Sequence, residues 1–252
     1  MWHTHSCLCR IARHCFRFVS RMPLHVMTYN IKGHGALLRP RHIERIAEVI
    51  REIKPDIVGV QEMHRGTWKA RFRDQAAELE RLTGMKLFFG RAMGKDGADY
   101  GNAVLTRGSI VDTRIDLLPG KGEPRSMLGA TIDVDGTRLI AYVTHLAAWA
   151  RFGSRTRLAQ AEAVAKFVTK SELPFVLMGD FNTSPTSEEL RVFHDGTIVA
   201  SCFVEKIVTH RATKQCLDYI FTDPAWLIRD ARVIARGPSD HWPLLAAIER
   251  SG

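Results

Sequence analysis

The stretch LPFVLMGDFNTSP, residues 173–185, is typical of a buried β-strand that ends in polar side chains. Because side chains alternate along a strand, Asp180 and Asn182 face the same side if the extended conformation persists. An acid at the rim of a core costs free energy unless it binds a metal, a cation or a hydrogen-bond donor. The stretch therefore predicts either a functional site or, more simply, a turn in which Asn182 and Thr183 cap the following residues.

Polar residues end other predicted strands in the same way, which favours the functional interpretation. Those found at or beside strand ends are Asn30, Gln61, Glu62, His145, Asp218, Asp240 and His241. One such end is readily explained by chance, but five or six are not. Since sites in open sheets are built at one rim of the strands, we expect these side chains to converge.

The remaining sequence mixes many strands with three or four helices. Apolar residues at helical spacing predict helices over residues 41–54, 73–84 and 154–170. Ser154 is a candidate N-cap, and Thr186 with Glu189 has the spacing of a capping box that opens a short helix. The Asp135-Gly136 pair predicts a tight hairpin turn between two strands. We therefore expect mixed sheets with helices outside.

The composition is that of an ordinary globular chain. It has 252 residues, of which 45% are hydrophobic, and residues 22–252 fit one α/β domain. No apolar run reaches the roughly 18–20 residues that a membrane span needs. The net charge of +9 favours polyanionic partners such as nucleic acid, phosphate esters or anionic lipid, although a solvated basic surface without a partner explains it equally well.

Residues 1–21 differ from the rest of the chain, since they hold four Arg, three His and no acid. Three interpretations remain open for this leader: a disordered start artefact with Met22 as the working start, a basic amphipathic targeting or membrane-surface helix, or a metal site. The metal site would use His3, His5, Cys7 and Cys9, whose spacing fits no structural zinc site. Secretion is disfavoured because the leader lacks a signal peptide's apolar region.

The cysteines argue against a disulfide framework. There are five, and none of them forms a CxxC pair. A reducing compartment, and hence a cytoplasmic location, is the default expectation. If the leader is a targeting segment, the alternative is a peripheral membrane location or another compartment.

Seven motifs carry a resemblance to a known family. In chain order they are MTYNIKGHG, VGVQEMH, GNAVLTR, YVTHL, LMGDFNTSP, CLDYIF and SDHWPL, and they lie within residues 24–248. With these motifs the chain resembles the metal-dependent endonuclease/exonuclease/phosphatase superfamily, GDFN and SDH being the most specific of them. The resemblance implies a DNase I-like four-layer α/β sandwich, in which two packed mixed β-sheets are flanked by helices and the site lies at one edge.

The resemblance also implies roles for the carboxylates and amides. Glu62 corresponds to the main Mg²⁺ ligand, with Asn30 and Asp240 as further metal-site residues and Mn²⁺ as a substitute ion. Asp180 corresponds to the general base that deprotonates the attacking water. Asn182 would fix that water or a phosphoryl oxygen. Hard oxygen ligands of this kind suit Mg²⁺.

The histidines complete the implied catalytic set. His241 corresponds to the phosphate-binding imidazole, oriented by Asp218 through its other ring nitrogen. His145 would face the phosphate or the leaving group, with a structural core histidine as the alternative. Asn102 and Arg125 are candidate phosphate contacts, for which a turn after a glycine and a structural salt bridge are the respective alternatives.

Two departures from the family's abasic-site endonuclease branch point away from DNA repair. Lys32 stands where that branch has an acid or an amide, and Tyr-Val-Thr-His (142–145) replaces its Tyr-x-Pro-Asn segment. Substrate choice is expected to depend on two loops, 64–75 and 147–157, which combine basic and aromatic residues. Trp149 and Arg155 in the second loop are candidate substrate-binding residues.

The sequence thus predicts a Mg²⁺-dependent phosphoesterase that hydrolyses a phosphodiester through in-line attack by water, with nucleic acid as the expected substrate. The alternative is a phosphodiesterase or phosphatase of phospholipids or inositol phosphates on the same fold. A non-catalytic binding module is the remote alternative, since every implied catalytic position holds a competent residue. A monomer is the default oligomeric state.

Overall fold

The apolar segments predicted as strands form two six-stranded β-sheets in the computed structural model, which describes residues 22–148, 153–193, 199–201 and 207–251. The strands are β1 Leu24–Asn30, β2 Ile57–Arg65, β3 Lys86–Lys95, β4 Ala98–Thr106, β5 Ser109–Leu117, β6 Ser126–Val134, β7 Thr137–His145, β8 Phe175–Asp180, β9 Val199–Ser201, β10 Asp218–Thr222, β11 Trp226–Val233 and β12 Leu244–Arg250. The α-helices are α1 His42–Ile53, α2 Gln75–Thr83, α3 Gly153–Val168 and α4 Glu188–Arg191.

Both sheets are mixed. The first has the order β11-β12-β1-β2-β4-β3 and the second the order β5-β6-β7-β8-β10-β9. Each contains one parallel pair, β1 with β2 and β7 with β8, among antiparallel neighbours. A parallel pair needs a crossover, and the segments that contain α1 and α3 provide the two crossovers.

Three hydrophobic layers separate four layers of secondary structure. Val26, Val143 and Met178 belong to the layer between the two sheets. A second layer, which includes Ile46, packs α1 and α2 against the outer face of the first sheet, and a third, which includes Phe181, packs α3 and α4 against the second sheet. The predicted four-layer α/β sandwich is thereby confirmed.

Strand register brings the polar strand ends to one edge of the sandwich. In the parallel pairs, Asn30 lies opposite Gln61 and His145 lies opposite Asp180. The antiparallel strand β10 begins where β8 ends, so Asp218 also lies opposite Asp180. Residues that are far apart in the sequence therefore converge because neighbouring strands end or begin at the same level.

A local irregularity in β2 sets the direction of Glu62. The register between β2 and β4 shifts between Val60 and Met63, and Glu62 has a left-handed backbone conformation with φ of 61°. Non-glycine residues seldom adopt this conformation, and such irregularities are frequent next to functional sites. The bulge interrupts the regular alternation that would otherwise fix the side of the sheet on which Glu62 lies.

Of three local predictions, one for a hairpin turn and two for helix caps, the structure confirms the first and contradicts the other two. The Asp135-Gly136 turn is confirmed: both residues have positive φ, and the β6 and β7 residues on either side of it pair directly. The predicted cap at Ser154 is wrong, because α3 begins at Gly153. The predicted capping box is also wrong, since Ser187 precedes α4 and the Glu189 side chain pairs with Arg157 instead.

The leader, with its three interpretations, lies outside the described residues. Among the helices that the structure describes, none has the length and apolar character required to cross a bilayer.

Candidate active site

A polar cleft of about 330 Å³ opens at the edge of the sandwich where the strand ends converge. The predicted site residues that line it are Glu62, Arg125, His145, Asp180, Asn182, Asp240 and His241. Asn30 and Asp218 lie directly behind this wall, and both are fully buried. Nine of the twelve candidate catalytic, metal and substrate residues thus lie in or behind the cleft. Gln61, which was also expected to converge there, does not line it: its side chain is fully buried and accepts a hydrogen bond from Thr28.

Asn30 links the metal-ligand candidate to the general-base candidate. Its Nδ2 donates hydrogen bonds to Glu62 Oε1 at 3.1 Å and to Asp180 Oδ2 at 2.9 Å. Its Oδ1 accepts from the backbone N–H of Lys32 at 3.0 Å, which fixes the orientation of the amide. Asn30 therefore holds two carboxylates from different sheets at a set separation.

Asp180 lies at the centre of the site. Its Oδ2 is 3.6 Å from Nε2 of His145 and 3.6 Å from Nε2 of His241, while its Oδ1 accepts from the backbone N–H of Asn182 at 2.9 Å. Burial raises the pKa of Asp180, although the nearby His241 opposes this effect. A carboxylate in this environment is a stronger base than one in water.

The His241 imidazole forms a buried ion pair with Asp218, whose Oδ2 lies 2.8 Å from Nδ1. Burial alone would lower the pKa of His241, but the charges of Asp218 and Asp180 outweigh it and raise the pKa to about 10. His241 is consequently an imidazolium at neutral pH, and Nε2–H is the group that faces Asp180 and the cleft.

His145 has the opposite protonation state. Nη1 of Arg125 donates a hydrogen bond to Nδ1 of His145 at 2.8 Å. Burial, followed by the charge of Arg125, lowers the pKa of His145 well below its ordinary value. The ring is therefore neutral and carries its proton on Nε2, the atom that faces Asp180. Arg125 in turn is held by Tyr100 and Glu123.

Glu62 is an anion at neutral pH. Burial would raise its pKa, but the hydrogen bond from His34 and smaller contributions from other neighbours, among them the Asn30 amide, outweigh this effect and lower the pKa below its usual range. Nδ1 of His34 lies 3.5 Å from Glu62 Oε2. The left-handed backbone at Glu62 thus presents a charged carboxylate to the cleft.

Asp240 lines the cleft together with Glu62 and Asp180, and its side chain is not fully buried. Its Oδ2 pairs with Nζ of Lys32 and is 3.7 Å from Nε2 of His210. Burial would raise the pKa of Asp240, but the hydrogen bond from Lys32 lowers it. Ser239 anchors this segment through an Oγ–H hydrogen bond to the Asn30 carbonyl at 2.7 Å.

Three predicted substrate contacts are not placed in the cleft. The side-chain amide of Asn102 donates to the Ser126 carbonyl at 3.1 Å and so ties β4 to β6, and Asn102 does not line the cleft. Arg155 is exposed in the first turn of α3, away from the cleft lining. Trp149 lies outside the described residues.

Sequence reasoning missed several cleft residues. These are Lys32, His34, His64, Lys69, Tyr100, Glu123 and His210. Lys32 enters the sequence analysis only as a departure from a family pattern, and His34 and His64 lie in quoted motifs. His64 and Lys69 also lie in loop 64–75, which the sequence predicts as a whole to determine substrate choice. The His210 ring packs against the His241 ring in a tilted arrangement, with 4.7 Å between the ring centroids. Nothing in its local sequence indicates that contact, which depends on tertiary structure.

The donor chemistry of the cleft fits a hard divalent cation. Glu62 supplies an anionic carboxylate that lines the cleft, and Asp240 supplies a second one. Asp240, His210 and His241 also form one group whose potential ligand atoms lie within 4.8 Å of one another, and Asp180, Asp218 and His241 form another. Both groups include His241, which as an imidazolium has no nitrogen lone pair to offer a cation, so carboxylate oxygens remain as the main ligands, as Mg²⁺ or Mn²⁺ requires.

The Endonuclease/Exonuclease/phosphatase family model matches residues 27–241 of this chain. The chain therefore belongs to that family of hydrolytic phosphoesterases, and the predicted family membership is confirmed. No curated protein matched the chain.

Solved structures agree with this assignment. An endonuclease/exonuclease/phosphatase from Beutenbergia cavernae DSM 12333 is 25% identical with a TM-score of 0.75, over 92% of this chain and 72% of that one. The human Nocturnin catalytic domain with bound sulfate is 24% identical with a TM-score of 0.72, over 91% of this chain and 94% of that one. D. rerio TDP2 complexed with a single-strand DNA product is 18% identical with a TM-score of 0.72, over 90% of this chain and 98% of that one. At these identities the last two show the fold alone.

Proposed function

We propose that this chain is a divalent-metal-dependent phosphodiesterase that hydrolyses nucleic acid. The observation that carries the proposal is the position of Asp180, whose carboxylate lies 3.6 Å from both imidazole Nε2 atoms and accepts a hydrogen bond from Asn30. This arrangement provides a buried base beside two N–H donors, as water attack on a phosphate requires.

Glu62 is the residue best suited to hold the cation. Its carboxylate is anionic, lines the cleft and is oriented by Asn30. Asp240 is a second ligand, although Lys32 already neutralises part of its charge. When bound, Mg²⁺ would supply Lewis-acid neutralisation of the phosphoryl oxygens.

The protein's own side chains carry out the proton transfer and stabilise the charge on the phosphate. Asp180 takes the proton of the attacking water, and Asn30 keeps its carboxylate in position. The His241 imidazolium stabilises the negative charge on the phosphoryl oxygens, and Asp218 keeps it protonated and oriented. His145 remains neutral and offers its Nε2–H as a hydrogen-bond donor without adding charge.

Nucleic acid is favoured among phosphodiesters for two reasons. The chain carries a net charge of +9, which attracts polyanions. Lys32 and Lys69 lie among the cleft-lining residues, where they place positive charge beside the substrate phosphates. The TDP2 structure with its DNA product demonstrates that this fold accommodates a single strand in another protein.

The test is hydrolysis by the full chain of labelled single-stranded, duplex and abasic oligonucleotides, with Mg²⁺, with Mn²⁺ and with EDTA. We expect cleavage that EDTA abolishes and that Mg²⁺ restores. A parallel panel of inositol phosphates and phospholipid vesicles covers the alternative substrates. Hydrolysis only in that panel would overturn the nucleic-acid assignment, and undiminished cleavage in EDTA would overturn the metal assignment.

The general-base assignment predicts the effect of Asp180→Asn. The amide has nearly the same shape but accepts no proton, so we expect turnover to fall by about 10²–10⁴-fold while the fold is retained. Circular dichroism and a thermal melt establish that the variant is folded, and single-turnover cleavage measures the loss. Turnover within a few-fold of the unmodified protein would refute Asp180 as the base.

A further inference from the structure

An apolar pocket of about 340 Å³ adjoins the catalytic cleft. It shares His64, Lys69, Met93 and Tyr100 with the cleft, so a substrate can occupy both without a break. The lining residues that belong to this pocket but not to the cleft are Thr67, Trp68, Gly94, Lys95 and Ala98. None of the roles described above for the catalytic site uses it.

Trp68 is held in place while its side chain stays accessible. It is 61% exposed and begins the short 3₁₀ helix Trp68–Ala70, which Thr67 caps by accepting a hydrogen bond from the Ala70 backbone N–H. Gly66 packs this loop tightly against the β3–β4 hairpin, because a Cβ there would lie 2.4 Å from the Gly97 carbonyl oxygen. An exposed indole on an anchored loop is suited to stacking with a planar ligand.

His64 is a buried residue that lines the pocket beside Tyr100. The residue is 3% exposed, its ring centroid lies 4.9 Å from that of Tyr100, and its Nδ1 has no hydrogen-bond partner among the described residues. Because Nδ1 is itself inaccessible, His64 contributes to the pocket through its ring, which together with Tyr100 gives the pocket an aromatic wall next to the cleft.

We propose that this pocket binds the nucleobase of the nucleotide attached to the scissile phosphate, with Trp68 as its stacking platform. The pocket volume lies at the lower end of the range for small-ligand sites, as a single base with its sugar requires. Lys69 lines both the pocket and the cleft and so places positive charge where the sugar–phosphate backbone would pass from one to the other, and Lys95 adds a second positive charge at the pocket. The inference rests on the proposed function and specifies the part of the substrate that lies beside the catalytic groups.

Binding is measured first, without turnover, in the Asp180→Asn protein. Isothermal titration calorimetry compares deoxyadenosine 5′-monophosphate with deoxyribose 5-phosphate, which lacks the base. We expect the base to tighten binding by about tenfold or more, as base–aromatic stacking does elsewhere. Adding Trp68→Ala should remove this advantage, whereas Trp68→Phe, which keeps a ring, should retain most of it.

Phe72→Ala serves as the matched control. Phe72 is 77% exposed in the same loop but does not line the pocket, so its loss should leave the affinity for both ligands unchanged. Equal binding of the two ligands, or a base advantage that survives Trp68→Ala, would overturn the pocket assignment. An identical loss in Phe72→Ala would also overturn it, because the effect would then belong to the loop as a whole.

Cleavage separates this inference from the proposed function. Oligonucleotides with a single baseless residue at successive positions should lose cleavage efficiency by about tenfold at one position beside the cut, and only when Trp68 is present. Normal cleavage at every position overturns the pocket and leaves the nuclease standing. Trp68-dependent nucleotide binding without cleavage of any phosphoester would overturn the nuclease and leave the pocket standing.

Discussion

At the scale of single residues, the site depends on two histidines that differ in charge because their partners differ. His241 faces Asp218 and is an imidazolium, whereas His145 accepts a hydrogen bond from Arg125 and is neutral. Both Nε2 atoms lie 3.6 Å from the same oxygen of Asp180. The residue behind each ring, rather than the ring itself, therefore decides whether it contributes a charge or a neutral donor.

Arg125→Met is expected to impair catalysis through His145 without removing any group that we assign to the reaction. Losing the guanidinium raises the pKa of His145 and releases its Nδ1, so the ring can carry its proton on the wrong nitrogen. We predict a 10–100-fold fall in kcat with a smaller change in KM. Arg125→Lys, which keeps a hydrogen-bond donor, should retain part of the kcat that Arg125→Met loses.

Histidine NMR measures the cause of this effect directly. In the unmodified protein, nitrogen shifts of His145 should show the neutral ring protonated on Nε2, with no titration near its ordinary pKa. In Arg125→Met we expect mixed tautomers and a higher pKa. An unchanged tautomer and pKa alongside a large fall in kcat would mean that Arg125 contacts substrate instead of positioning His145.

At the scale of elements, α3 and α4 are joined by a buried ion pair behind the second sheet. Nε of Arg157 donates to Glu189 Oε1 at 3.1 Å, and both side chains are more than 90% buried. Thr183, one residue beyond Asn182, donates to the other Glu189 oxygen at 3.4 Å. The pair thus connects two helices to the segment that follows the catalytic strand β8.

Removing one partner of this pair should be strongly destabilising. Arg157→Met leaves a buried carboxylate without its cation, for which we expect a loss of about 3–5 kcal/mol in the free energy of unfolding. The double variant Arg157→Met with Glu189→Met removes both charges and should recover most of that loss. Urea unfolding of the three proteins tests this; equal stability of the single and double variants would contradict it.

At the scale of the whole molecule, periodic patterns predict the strands and their polar ends, whereas the four-layer sandwich and its site edge are implied by the family resemblance. Asn30, His145 and Asp180 can each be recognised as a strand end in the sequence, but the strand order and the packing of the two sheets bring them together. Asn102 shows the limit of this reasoning, since its amide turns inward to Ser126 and only the packing of β4 on β6 determines that. Contacts such as His210 on His241 depend on loop paths that no local pattern specifies.

The stability of the molecule should also depend on pH through a histidine outside the active site. His42 is 1% exposed at the start of α1, and its Nε2–H donates to the Ile31 carbonyl at 2.7 Å. Its ring lies so close to Gly35 that a Cβ there would be 2.6 Å from the ring. Burial, only partly opposed by the hydrogen bond to Ile31, lowers the pKa of His42 below 6.5.

Because the folded state resists protonation of His42 while the unfolded state accepts it near pH 6.5, His42 stabilises the protein above that pH and loses this effect as pH falls below it. His42→Gln keeps a donor for the Ile31 carbonyl but does not titrate. The free energy of unfolding, measured in urea, should therefore fall less between pH 8 and pH 5.5 in His42→Gln than in the unmodified protein. The two falls should differ by no more than about 1.4 kcal/mol per pH unit. Parallel pH dependences of the two proteins would mean that His42 is as readily protonated in the folded state as in the unfolded one.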